Sequence, residues 1–123
     1  MTVILDSSGW IELLSGSSRA KLYQPALRSK RLLVPAIVRY EVARYTLSQG
    51  GQPAMELALR ALSRFESIPV DEALADSAAR LAHQQKLSLA DAIVYAAAQA
   101  QEAELWTQDR HFATLPGVKF FRK

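Results

Sequence analysis

Four carboxylates, Asp6, Glu41, Asp91 and Asp109, are the residues whose type and spacing carry chemistry in this chain. Each stands where an apolar run ends or a helix begins. A parallel α/β fold would gather such positions at one edge of its sheet. Four clustered carboxylates cannot all stay ionised unaided, because like charges raise one another's pKa, and together they repel a phosphate. A hard divalent cation removes both obstacles, and oxygen ligands of this kind suit Mg²⁺ or Mn²⁺. Such an ion activates water for in-line displacement at phosphorus, alone or as one of a pair, so no side-chain nucleophile is required.

Taken singly, each acid has a plainer role. Asp6 follows Val3-Ile4-Leu5, where it or Ser7 can cap the next helix. Glu41 can pair with Arg44 on a helix surface. Asp91 lies three residues after Ser88, a capping-box-like start, and Asp109 can cap a short helix after its strand. Capping leaves one fact unexplained: Ala90, Ala92 and Ile93 surround Asp91 with apolar neighbours. The joint pattern, with every acid facing one crevice, is what favours a metal site acting on a phosphodiester.

The elements that must position these acids alternate along the chain. Strands are predicted at Thr2–Leu5, Leu32–Val34, Ser67–Val70, Glu104–Thr107 and, as an edge, Val118–Phe121. A helix is predicted over Ser8–Leu14, and a helical segment over Ser18–Ser29 that contains Pro25. Pro35 opens a helix over Ala36–Ser48, Gly50-Gly51 breaks it, and Pro53 starts another with Met55, Leu59 and Leu62 on one face. Asp71 caps a helix burying Leu74, Ala78 and Leu81, and Ser88 caps an Ala-rich helix through Gln99. Arg110–Thr114 reads as a helical turn. Strands separated by helices imply right-handed crossovers and a mostly parallel sheet covered on both faces, a three-layer α/β/α sandwich.

The 123 residues suit one domain, residues 1–123, with a sizeable core. Fifteen Lys and Arg against 12 Asp and Glu give a net charge of +3. If four of those acids cluster, the remaining surface is more basic than the total implies, a negative pit in a positive field that favours a polyanion. There is no cysteine, which excludes disulfides and thiolate sites, and two histidines make zinc a poor fit. No basic leader precedes the first strand and no apolar run reaches the ~20 residues that span a bilayer, so a soluble, cytoplasmic protein without membrane contact is expected.

Asp-Ser-Ser-Gly-Trp-Ile-Glu (Asp6–Glu12), Pro-Ala-Ile-Val-Arg-Tyr-Glu-Val (Pro35–Val42), Leu-Ser-Leu-Ala-Asp-Ala (Leu87–Ala92) and Thr-Gln-Asp-Arg-His-Phe (Thr107–Phe112) resemble PIN-domain proteins. At this length the sequence is most similar to the VapC-type toxins of toxin–antitoxin pairs. The resemblance runs from first strand to last, with all four acidic anchors in order. It implies a Mg²⁺- or Mn²⁺-dependent endoribonuclease that cleaves RNA, with Asp6, Glu41, Asp91 and Asp109 as metal-coordinating catalytic residues. Ser7 and Thr107 match hydroxyl positions that orient the acids. The resemblance further implies a homodimer and inhibition by a VapB-type antitoxin whose tail lies near the acids.

Arg110 and His111 adjoin Asp109 and are candidates to touch the RNA backbone, and Arg39 and Arg44 around Glu41 to bind RNA or an acidic antitoxin side chain, each against the plainer role of a solvated surface residue. Trp10 and Trp106 read as core or interface residues, and Ser15–Ser18 as a plain loop. An aspartyl phosphatase would need an Asp where Ser8 stands, and a receiver domain needs an acid pair after the first strand. A nucleotide-binding module would need a glycine-rich phosphate loop. The remaining alternative is a catalytically silent relative that binds RNA or an antitoxin without cutting, which the intact acid set opposes.

Overall fold

A computed structural model describes residues 1–123. Five strands form one sheet in the order β3-β2-β1-β4-β5, and all four pairings are parallel. They are β1 (Thr2–Leu5), β2 (Arg31–Pro35), β3 (Glu66–Ile68), β4 (Glu104–Thr107) and β5 (Val118–Phe120). β1 lies at the centre, with Ile4 opposite Leu33 on one side and Leu105 on the other. Its residues Val3, Ile4 and Leu5 are fully buried, as a strand covered on both faces requires. The chain leaves β1 toward β2 and β3, then returns across the sheet to β4. The strand order therefore reverses beside β1, where open α/β sheets form a crevice beyond the strand ends.

The helices are α1 (Ser7–Ser15), α2 (Ala20–Tyr23), α3 (Ala36–Leu62), α4 (Glu72–Gln85) and α5 (Leu89–Ala100). The Ser18–Ser29 segment is only partly α-helical. α2 passes at once into a 3₁₀ turn over Gln24–Arg28, because Pro25 supplies no N–H to an α-helical ladder. The two helices predicted around Gly50-Gly51 are the arms of α3, which kinks at Gly51 (φ 73°, ψ −169°), a conformation open essentially to glycine alone. β3 begins and ends earlier than its sequence implied, since Pro69 removes a ladder donor just beyond Ile68. The 3₁₀ turn after β4 spans Arg110–Phe112.

α5 is buried without interruption from Ala92 to Ala98, packed between α4 and the sheet. Its small side chains permit that close approach, and only its first turn reaches the sheet edge. One apolar cluster of 27 residues joins the sheet to helices on both sides. No helix is long and apolar enough to cross a membrane.

Candidate active site

The acids reach the carboxyl edge of the sheet by four routes. Asp6 is the residue after β1 and the N-cap of α1, its extended backbone (φ −74°, ψ 177°) turning the carboxylate back over the helix start. Glu41 rises from the second turn of α3, after β2. Asp91 stands in the first turn of α5, where the Ser88 hydroxyl accepts its amide at 3.3 Å. Asp109 lies two residues past β4 and caps the 3₁₀ turn. All four line a single open cleft of about 1030 Å³.

Asp6 is 7 % exposed, and its contacts account for its position. Oδ1 accepts the Gly9 amide at 3.1 Å and the Ser8 hydroxyl at 2.9 Å, while Oδ2 accepts the Thr107 hydroxyl. The Thr107 oxygen in turn accepts the Asp109 amide at 2.9 Å. One buried hydroxyl thus ties together acids that follow two neighbouring strands. Gly9 is required beneath Asp6, since a Cβ there would stand 2.7 Å from the Tyr23 ring. The Tyr23 hydroxyl is buried without a hydrogen-bond partner, and burial followed by the charge of Asp6 pushes its phenol up.

Burial raises the Asp6 carboxyl above its ordinary value. The bonds from Thr107, Gly9 and Ser8 oppose that rise and the charge of Asp109 adds to it. Glu41 is raised first by burial and then by the charges of Asp91, Asp6 and Asp109, with the Ser7 hydroxyl pulling the other way. Glu41 thus lies within electrostatic reach of the other three acids, and Asp6 within reach of Asp109. Neither Asp6 nor Glu41 pairs with a cationic side chain, and the Glu41–Arg44 pair does not form.

His111 Nδ1 lies 3.2 Å from Asp91 Oδ2 and 3.3 Å from Asp109 Oδ1. These three residues form the group whose donor atoms all lie within 4.8 Å of one another; Asp6, which is more buried, and Glu41 stand outside it. His111, a candidate for RNA contact, lies across two of the acids while its side chain remains largely exposed. Arg110 lines the cleft as well. Arg39 does not, and instead donates to Ser63 Oγ at 3.0 Å and the Leu59 carbonyl at 3.4 Å along α3. Trp10 and Trp106 are buried core residues.

Several polar residues at or behind the cleft were missed in the sequence. Ser8 bonds Asp6, while Ser7 stands beside Glu41. Ser17, read as plain loop, donates to Glu12 Oε1 at 2.6 Å, and Gln108 donates to Glu12 Oε2 at 2.9 Å. Gln108 sits between Thr107 and Asp109, a spacing that could have flagged it. Arg122 and Lys123 line the cleft from beyond β5, and no local pattern marks them.

The family model described as PIN domain matches residues 3–118. Among solved structures, a toxin–antitoxin complex from Klebsiella pneumoniae is similar at 30% identity, covering 95% of both chains with a TM-score of 0.81. VapBC2 from Rickettsia felis, bound to a DNA fragment from its promoter, is similar at 16% identity and TM-score 0.79, covering 99% of this chain and 100% of that one. Mycobacterium tuberculosis VapC20, a sarcin–ricin loop cleaving toxin, aligns at 19% identity and TM-score 0.76 over 93% of this chain and 95% of that one. No curated protein matches the sequence.

Proposed function

This chain belongs to the PIN-domain family of VapC-type toxins, and from that premise we propose that it is a metal-dependent endoribonuclease, the toxin of a type II toxin–antitoxin pair. The observation that carries the reading is the convergence of Asp6, Glu41, Asp91 and Asp109 from four separate elements on one cleft with a basic rim. Capping accounts for Asp6 and Asp109 singly, but it gives no reason to gather four like charges in one cleft, where the other three raise Glu41 and Asp109 raises Asp6.

The donor set fits a hard divalent cation. Two of the acids are held above their ordinary pKa by burial and by one another, with no cationic side chain to offset them. Mg²⁺ or Mn²⁺ would be held by Asp6, Glu41, Asp91 and Asp109, with oxygen ligands throughout. When bound, it supplies the counter-charge and acidifies a water for attack on a phosphodiester. The protein's own residues then have distinct tasks. Thr107 and Ser8 fix the rotamer of Asp6, and Thr107 also sets the backbone at Asp109. Ser7 stands beside Glu41 in the same capacity. Arg110 and His111, exposed at the rim, meet the phosphates flanking the scissile bond.

A VapB-type antitoxin and a second copy of the chain are the proposed protein partners, in the cytoplasm. Support comes from α3, which leaves Tyr40 and Leu57 more than half exposed and Tyr45 and Leu47 45 % exposed, an apolar surface suited to protein contact. The test is incubation of total cellular RNA with purified, antitoxin-free protein in Mg²⁺ or Mn²⁺ and in EDTA, with Asp6→Asn in parallel. Discrete metal-dependent fragments made only by the wild type are expected. A folded protein that binds RNA or antitoxin but cuts nothing, or a fully active Asp6→Asn protein, would sink the mechanism and leave a silent binding module.

A further inference from the structure

A polar relay runs behind one wall of the cleft, which it meets at Gln108, and ends on the backbone just beyond β5. Glu12 on α1 accepts from Ser17 and Gln108, and Gln108 Oε1 accepts Arg19 Nε at 2.7 Å. Arg19 donates through Nη2 to the carbonyls of Phe121 (3.2 Å) and Arg122 (3.4 Å). The bonds from Ser17 and Gln108, with the charges of Arg19 and, less strongly, Lys123, hold Glu12 below the usual carboxylate range against the opposing effect of burial, so it remains an anion anchoring the relay. The segment is gripped a second way: Phe121 packs edge-on against Tyr23 and Trp106, and its amide reaches the Thr107 carbonyl at 2.8 Å.

The segment held in this manner carries Arg122 and Lys123, which line the same cleft as the four acids while remaining exposed. Neither forms an ion pair with any carboxylate. Two unpaired cations held beside a carboxylate floor suit a polyanion that crosses the floor at one phosphate and meets the wall at its neighbours. Gln108 lies next to Asp109, so the relay also sets the wall relative to the acids.

We infer that Arg122 and Lys123 form a phosphate-binding wall for single-stranded RNA, and that Arg19, Gln108 and Glu12 are positioning residues that hold this wall over the cleft. The inference rests on reading the cleft as an RNA-cutting site and adds where the strand lies in it. Its chemistry is that of phosphate contact, which positions a strand without reading its sequence.

The test is the salt dependence of binding to a fluorescein-labelled oligouridylate, followed by anisotropy in Mg²⁺ across a KCl series. The parent is Asp6→Asn, which keeps the probe uncut. Each phosphate contact on a single strand contributes about 0.7 to the slope of log affinity against log salt. Adding Arg122→Gln and Lys123→Gln together should make the slope shallower by about 1.4. Arg19→Gln, although it lines no part of the cleft, should lower the slope as well.

In an otherwise wild-type background, the Arg122→Gln/Lys123→Gln protein should raise KM for a cleaved RNA and leave kcat within about twofold, the mark of lost uniform binding. Both substituted side chains are exposed, so this variant does not depend on the fold tolerating the change. An unchanged slope together with an unchanged KM overturns the wall while the wild type still cuts RNA. A wild type that neither cuts nor binds RNA overturns the wall and the ribonuclease reading together.

Discussion

Thr107→Val tests the join between the two halves of the site. The Thr107 side chain is fully buried, and its one oxygen donates to Asp6 and accepts from the Asp109 amide. Valine keeps the branched shape and removes both bonds. A hydrogen bond to a charged group contributes about 1.5–3 kcal/mol and a neutral one about 0.5–1.5, so the loss comes to about 2–4 kcal/mol. For a chain of this length, a specific unfolding entropy near 2.1 cal/mol/K per residue converts each kcal/mol to about 4 °C. The melting temperature should therefore fall by about 8–16 °C. Asp6 also loses the strongest bond opposing its raised pKa, so its carboxyl rises further. RNA cleavage should drop about 10- to 100-fold, as when a group that orients a metal ligand is removed. Thermal melts in EDTA and in Mg²⁺, with cleavage assays alongside, provide the readout, and Thr107→Ser serves as a control that retains the hydroxyl. A valine variant that melts within about 2 °C of the wild type and cuts at its rate would refute the argument that this hydroxyl couples the acids.

Other expectations follow from the same geometry. A carboxyl whose folded pKa exceeds its unfolded one binds protons more tightly when native, so its contribution to stability declines as pH rises from the unfolded value through the folded one. Asp6 and Glu41 both shift upward from 3.8 and 4.5, so in EDTA each acts against stability as pH climbs above about 4. Asp6→Asn keeps an oxygen to cap α1 and removes the charge; its melting temperature relative to wild type should increase across that window, and a constant or falling difference would contradict the shift. Adding Mg²⁺ or Mn²⁺ should raise the wild-type melting temperature at neutral pH and have a much smaller effect on Asp6→Asn, as melts with and without the ion would show. Gly9→Ala forces a methyl to within 2.7 Å of the buried Tyr23 ring, and such overpacking costs about 1–3 kcal/mol, read as a lower midpoint in urea.

The acids and their elements were legible because local rules govern them. Asp6 follows an apolar run, Ser88 and Asp91 have capping-box spacing, and Pro35 and Asp71 mark helix starts, so strand-then-helix alternation and the sheet edge follow from short-range chemistry. Each of the four PIN-like stretches is also contiguous along the chain. The break at Gly51 was legible too, from glycine's wider backbone range, and where boundaries slipped, at Pro25 and Pro69, the departures trace to proline's missing donor.

Partners distant along the chain were settled only by folding. Thr107 reaches Asp6 across 101 residues and Arg19 reaches Phe121 across 102, and no periodicity encodes which hydroxyl or guanidinium meets which acceptor. The same holds for His111, whose place across Asp91 and Asp109 depends on the first turn of α5 meeting the end of β4. The sequence by itself determined which side chains stand at the ends of strands and the starts of helices, because those positions are set by residues within a turn or two. Only the tertiary structure decided which of them share a hydrogen bond, a charge or a wall of the cleft, because sheet order brings together residues that the chain separates by most of its length.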